Sequence, residues 1–117
     1  MADSITVFGI PNCDTVKKAR KWLNAQSISH DFHDYKKKGI DAQTLGVWCD
    51  ALGWESLVNR RGTTWRKLDD ADKENLNQES AIELMINNTS LIKRPVIDNA
   101  GELLLGFDEA AYTASLT

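Results

Sequence analysis

The stretch GIPNCDTVKKARKWL, residues 9–23, sets one thiol, Cys13, straight after a short apolar strand and at the start of a basic amphipathic helix. The first turn of a helix exposes unpaired backbone N–H groups and the positive end of the helix dipole. Both favour a thiolate, the nucleophilic form of cysteine. Lys17, four residues on, adds a positive charge to the same helical face. The competing view of Cys13 is a half-buried small residue that closes a strand–helix turn. Residue 16 is valine, so there is no Cys-x-x-Cys pair. A lone thiol that enters a mixed disulfide must be released by a small thiol such as glutathione, or by another cysteine. Cys49 is the other cysteine of the chain. Its neighbours Leu45, Trp48 and Leu52 put it on an apolar helical face, where a buried, inert thiol is expected.

Two basic clusters could hold an anion. In Lys93-Arg94-Pro95 a proline opens a strand, and Arg94 is either a strand-end charge or an anion ligand. Only about 5–6% of X–Pro bonds are cis, so these residues alone do not argue for a cis bond. Arg60, Arg61, Arg66 and Lys67 put four positive charges within eight residues. Arginine forks match carboxylates and oxyanions; alternatively, the cluster is neutralised by the acidic stretch at Asp69–Glu74. Thr63 and Thr64 either donate to an anion or cap a helix, and Trp65 fits a core position.

These residues need a scaffold, and the chain is long enough for one. With 117 residues it can bury the core of a single domain, residues 1–117. A hydrophobic content of 42% and a charged content of 26% are the balance of a soluble globular protein. The net charge of -3 argues against a nucleic-acid partner. No apolar run approaches the roughly 20 residues of a membrane-spanning helix. The start, MADSITVFGI, has no basic segment of the secretory kind, so a cytoplasmic location is expected. In a reducing compartment Cys13 and Cys49 are not expected to form a disulfide. With His30 and His33 they match no zinc-site spacing, so no metal is expected. Nothing in the chain suggests an obligate dimer, and a monomer is expected.

Residues 4–9 alternate as a strand ending at Gly9. Val16, Ala19, Trp22 and Leu23 form the apolar face of the helix that follows. Residues 29–34 read as a weak, polar strand suited to a sheet edge, and Tyr35 to Gly39, with its lysine run, as a loop. Asp41 suits the cap of a helix carrying Leu45, Trp48, Cys49 and Leu52, which Gly53 ends. Trp54, Leu57 and Val58 suggest a short helix and 59–68 a loop with a short helix, and residues 69–75 are acidic. Asn77 or Gln78 opens a further helix through Ile86. Residues 41–88 thus form a helical insertion with no strand in it. Leu91 to Ile97 read as the entry to a strand, Asn99 to Gly101 as a turn, and Glu102 to Leu105 as the return strand. Asp108 caps a last helix. The fold class is α/β.

Taken together, GIPNCDTVKKARKWL at 9–23, FHDY at 32–35, LGWESLVNRRGTTWRKL at 52–68 and IKRPVI at 92–97 resemble the arsenate reductase (ArsC)/Spx-like branch of the thioredoxin-like fold, and within it the YffB group. The resemblance covers nearly the whole chain. It implies a thioredoxin-like βαβ–ββα core with the helical insertion between its two halves. It implies that Cys13 is the redox nucleophile and that Pro95 is a cis proline facing it. It gives Arg94 the task of holding an anion or a glutathione carboxylate near Cys13, with Arg60 and Arg61 across the same cleft. The implied activity is that of a glutathione-dependent thiol–disulfide oxidoreductase, with no bound cofactor and with glutathione as co-substrate. Asn12 and the arginines would orient the tripeptide, and Lys17 would help lower the thiol pKa. A second glutathione, or a glutaredoxin-like protein, would release the product.

Two alternatives come with the same resemblance. One is arsenate reduction at Cys13. The arsenate reductases of the family carry three arginines around the oxyanion. Here Asn59 stands at the first position, Arg94 at the second and Gly106 near the third, and no Lys or Arg follows Arg94. The other is a non-catalytic, Spx-like module that binds a protein partner. Spx regulators often carry a Cys-x-x-Cys switch, which Val16 breaks.

Overall fold

Apolar alternation builds the first strand, β1 (Ile5–Gly9), in the computed structural model, whose described residues are 5–74 and 76–116. Ile5, Val7 and Gly9 are buried on one side of the strand. Ser4, with which the sequence begins this strand, and Asn75 of the acidic stretch lie outside the described residues. The chain forms two units. One comprises the residues up to Lys38 together with those from Arg94 onward; the other is Gly39–Lys93.

In the first unit β1 leads into α1 (Asp14–Ala25), whose Val16, Ala19 and Leu23 are buried at the spacing of one helical face. Gly9 is required where the two elements meet. A Cβ built there would stand 2.8 Å from Cγ2 of Val16, closer than a methyl group tolerates. Strand β2 (Asp31–Asp34) runs parallel to β1. Strands β3 (Val96–Asn99) and β4 (Glu102–Leu105) form an antiparallel hairpin, and β3 lies antiparallel to β1. The sheet order is β2-β1-β3-β4, so the polar β2 is an edge strand as its composition implied. Ile5, Val7, Ala19, Leu23, Ile97 and Tyr112 form one buried cluster, with Trp22, Phe32, Leu104 and Phe107 packed against it. Tyr112 sits in the last helix, and its hydroxyl donates to the Gly106 carbonyl. That helix is preceded by Asp108, whose carboxylate accepts the Ala110 N–H at 3.0 Å and the Ala111 N–H at 3.3 Å. The βαβ–ββα arrangement is the thioredoxin-like core that the resemblance implied.

The unit Gly39–Lys93 is helical, with α3 (Ala42–Leu52), α4 (Trp54–Leu57), α5 (Thr63–Lys67), α6 (Asp70–Lys73) and α7 (Gln78–Asn87). Asp41 caps α3 by accepting the Thr44 N–H at 2.7 Å. Asn77 caps α7 in a reciprocal box with Ser80. Leu45, Trp48, Leu57, Met85, Leu91 and Ile92 are buried.

Two local expectations change. Tyr35 to Lys38 is a helical turn, α2 (Tyr35–Lys38), and not a loop. The Asp34 carboxylate accepts the Lys36 N–H at 2.8 Å, and this turn-starting bond overrides the repulsion of three adjacent lysines. Leu91 and Ile92 do not begin β3. Residues Thr89–Leu91 form a 3-10 turn, and Ile92 makes an isolated antiparallel bridge to Val58. Pro95 has no N–H to continue a ladder, and β3 starts only at Val96.

Candidate functional site

Cys13 is the N-cap residue of α1, with extended backbone angles of φ −106° and ψ 127°. Its N–H donates to the Ile10 carbonyl at 3.2 Å, and its carbonyl accepts the Lys17 N–H at 2.9 Å. The side chain therefore leaves the chain where α1 has N–H groups without helical partners. The sulfur closes no cap hydrogen bond of ordinary geometry. It is nevertheless held by opposing effects. Burial pushes the Cys13 thiol up, but the N–H groups of Val16 and Thr15 and the Arg94 guanidinium outweigh it and hold the thiol below its ordinary value. Partial exposure leaves the sulfur open to attack.

Arg94 comes from the other end of the chain. It immediately precedes the β3 strand, and the Arg94–Pro95 peptide bond is cis. Pro95 is buried, and its carbonyl accepts the Gly106 N–H at 2.8 Å, which ties the bond to the far end of the β3–β4 hairpin. The antiparallel pairing of Phe8 with Val96 carries Arg94 to the side of the sheet where α1 begins. Arg94 also acts on Tyr35, whose hydroxyl is held in its neutral form mainly by burial. Tyr35 is only 1% exposed, and among the described residues its hydroxyl has no hydrogen-bond partner. The ring centroids of Phe8 and His33 lie 6.5 Å and 6.1 Å from that of Tyr35.

Cys13 and Arg94 are thus in one place, with Asn12 exposed in the loop before α1 and Pro95 next to Arg94 in the chain. Lys17 is exposed on α1 and is not among the groups that act on the thiol, so the cation that tunes Cys13 is Arg94. Arg60 and Arg61 belong to the helical unit. The Arg60 guanidinium lies 5.9 Å from the Trp54 ring centroid and 5.5 Å from that of Trp65. With Asn59 and Lys93 the two arginines line a basic depression. Among the described residues none of Asp69–Glu74 forms an ion pair with them, and the Lys73 Nζ lies 5.6 Å from the Trp65 ring centroid. Cys49 is buried on α3, and its thiol is pushed up by burial and by Asp50. No group of three His, Cys, Asp or Glu among the described residues could hold a metal ion, and no helix among them is long and apolar enough to cross a membrane.

Two features of the site were not readable from the residues alone. The pairing of Arg94 with Cys13 needs the register of β1 and β3. The burial of Tyr35 had one sequence signal, its place in the FHDY string.

Residues 8–115 match the family model described as the ArsC family. A solved structure described as a YFFB protein is 49% identical, covers 97% of this chain and 100% of its own, and superposes with a TM-score of 0.95. The solution structure of an arsenate reductase (ArsC) related protein from Brucella melitensis is 48% identical, covers 97% of this chain and 95% of its own, and gives a TM-score of 0.76. The global transcriptional regulator Spx of Streptococcus agalactiae is 29% identical over 114 residues, which are 96% of this chain and 82% of that protein.

Proposed function

The chain belongs to the ArsC family, and on that premise we propose that it is a glutathione-dependent thiol–disulfide oxidoreductase of the cytoplasm that works through Cys13. One observation carries the proposal. A partly exposed thiol at a helix N-cap is held toward its thiolate by backbone N–H groups and an arginine, in a chain whose other thiol is buried and pushed the opposite way. The Cys13 thiolate attacks a sulfur of a disulfide; the new Sγ–S bond forms as the other sulfur leaves with the electron pair as a thiolate. Cys49 is poorly suited to resolve the product, so an external thiolate, that of glutathione, attacks the mixed disulfide and frees Cys13. Asn12, Arg94 and Pro95 flank the thiol in the chain or in space and are assigned to glutathione, with Lys17 on the adjoining turn. The forks of Arg60 and Arg61 suit carboxylates, and these two residues are proposed as glutathione ligands in their own right. Arg60→Ala and Arg61→Ala should then raise KM for glutathione several-fold with the thiol profile of Cys13 unchanged.

The test is the pH dependence of Cys13 alkylation, with and without glutathione disulfide, the label being located by mass spectrometry. Labelling that persists well below a free-thiol pKa of about 8.5, with glutathione taken up on Cys13, supports the proposal. A free-thiol profile with no uptake defeats it, as does a Cys13→Ser variant that keeps thiol-reductase activity.

Arsenate reduction is the weaker use of the same thiol, because Asn59 and Gly106 leave a tetrahedral oxyanion without two of the family's three arginines. A partner-binding, Spx-like role has one observation in its favour, the alignment with Spx along 96% of this chain. It would be preferred if one stoichiometric protein partner bound equally well to Cys13→Ser.

A further inference from the structure

Helix α1 carries more charge than the thiol chemistry uses. Pro11, Val16, Lys17, Arg20, Lys21 and Asn24 line a groove along the helix, and two of them, Pro11 and Lys17, stand two residues before and four after Cys13 in the chain. Three of the six are cations, in a chain with a net charge of -3. Among the described residues neither Lys17 nor Lys21 forms an ion pair, and the contact recorded for the Arg20 guanidinium is with the Phe32 ring, 4.4 Å from its centroid. That stacking pins Arg20 without neutralising it. Its Nε is buried and has no hydrogen-bond partner among the described residues. Asp14, at the Cys13 end, is the one acidic residue of α1 and is not among the residues that line the groove. The groove is therefore a strip of unneutralised positive charge with a fixed, half-buried arginine at its centre.

We infer that this groove docks an acidic protein segment that carries the disulfide on which Cys13 acts. The inference rests on the oxidoreductase proposal and names its substrate class. Charge complementarity selects the occupant, and length excludes glutathione from most of the groove. Lys21 and Asn24 lie eight and eleven residues beyond Cys13, about 12 and 16 Å along the axis at roughly 1.5 Å per residue. Glutathione has one residue on each side of its cysteine, and an extended residue spans only about 3.5 Å. A protein strand crossing the thiol has no such limit. In an acidic molecule a local basic strip draws acidic partners into one orientation and repels them elsewhere. The covalent step is ordinary exchange: the Cys13 thiolate bonds to the segment's sulfur, and the second sulfur of that disulfide leaves as a thiolate.

The experiment compares two probes on the whole chain. One is a decapeptide with a single cysteine followed by four Asp or Glu residues, activated as a mixed disulfide with thionitrobenzoate; the other is glutathione activated in the same way. Stopped-flow release of thionitrobenzoate reads the attack by Cys13. Lys21→Glu reverses one charge of the groove at an exposed helical position, and Lys21→Gln removes it. The expected result is a roughly tenfold loss of rate with the acidic peptide for Lys21→Glu and an intermediate loss for Lys21→Gln. The glutathione probe should stay within twofold, and the peptide effect should collapse in 1 M salt. Equal losses with both probes would assign the groove to glutathione and overturn the inference. No loss with either would make the groove a solvated face and overturn it too. Protection of wild-type Cys13 by a single-stranded oligonucleotide, stronger than by the acidic peptide lacking cysteine, would overturn it in favour of nucleic acid. No reaction of Cys13 with either probe would instead defeat the oxidoreductase proposal beneath it.

Discussion

At the scale of single residues, the chemistry of Cys13 is a contest between burial, which favours the thiol, and three donors that favour the thiolate. Arg94 is the donor that can be removed without disturbing α1. Arg94→Gln should move the alkylation profile of Cys13 to higher pH and slow labelling near neutrality several-fold, with the helical circular dichroism kept. An unchanged profile would leave the N–H groups of Thr15 and Val16 as the whole cause. Tyr35 makes an opposite prediction. Its hydroxyl is buried without a partner among the described residues, and such a group costs about 1–3 kcal/mol. Tyr35→Phe should raise stability by about 1 kcal/mol, read as a higher denaturant midpoint at unchanged slope. A loss of stability would show that the hydroxyl has a partner in solution. The thiol was legible in the sequence because a cysteine, a strand end and a helix start lie within one short string. Arg94 was placed near Cys13 by the family resemblance alone, because nothing local links it to residue 13.

At the scale of elements, two junctions hold the site in place. Gly9 lets α1 approach β1, and a Cβ there would meet Val16 at 2.8 Å. Gly9→Ala should cost about 1–3 kcal/mol through overpacking and should also disturb Cys13, because the turn from β1 into α1 carries the thiol. A urea titration paired with Cys13 labelling checks both; normal stability with normal labelling would show that Val16 yields easily. Asp41→Ala should cost about 1 kcal/mol for the lost cap of α3 and leave Cys13 labelling unchanged. The caps at Asp41, Asn77 and Asp108 were legible because a cap is a local bargain between one side chain and the next three N–H groups. The turn at Tyr35–Lys38 and the bridge of Ile92 to Val58 were not. The first depends on one Asp34 hydrogen bond and the second on a partner 34 positions away.

For the molecule as a whole, four groups with shifted titration, Cys13, Cys49, Tyr35 and Tyr112, contribute to the dependence of stability on pH. Cys13 is lowered from 9.0, so the folded state holds fewer protons than the unfolded state below that value, and its contribution grows as pH rises toward 9.0 and is lost as pH falls. Cys49, Tyr35 and Tyr112 are raised, so the folded state keeps protons that the unfolded chain gives up. Their contributions are present at neutral pH and are lost as pH rises beyond the ordinary values of 9.0 for cysteine and 10.0 for tyrosine. Urea midpoints should therefore fall steeply between about pH 10 and pH 12. In Tyr35→Phe the fall should be shallower, whereas Cys13→Ser should lack the rise with pH seen in the parent below pH 9.0. Parallel curves for parent and Tyr35→Phe would show that this tyrosine does not resist ionisation.

The sequence by itself determined the order of elements, the helical block between the two halves of the core, the edge position of β2 and the single thiol at the start of α1. Each of these rests on local periodicity, capping or turn chemistry, which neighbours in the chain settle among themselves. The tertiary structure decided the rest. It made the Arg94–Pro95 bond cis, as the family resemblance implied and proline statistics alone did not, and it brought Arg94 rather than Lys17 to bear on Cys13. It also buried Tyr35 and, among the described residues, left Lys17 and Lys21 without an ion pair. These depend on strand register and on what packs against what, and no spacing along the chain encodes them.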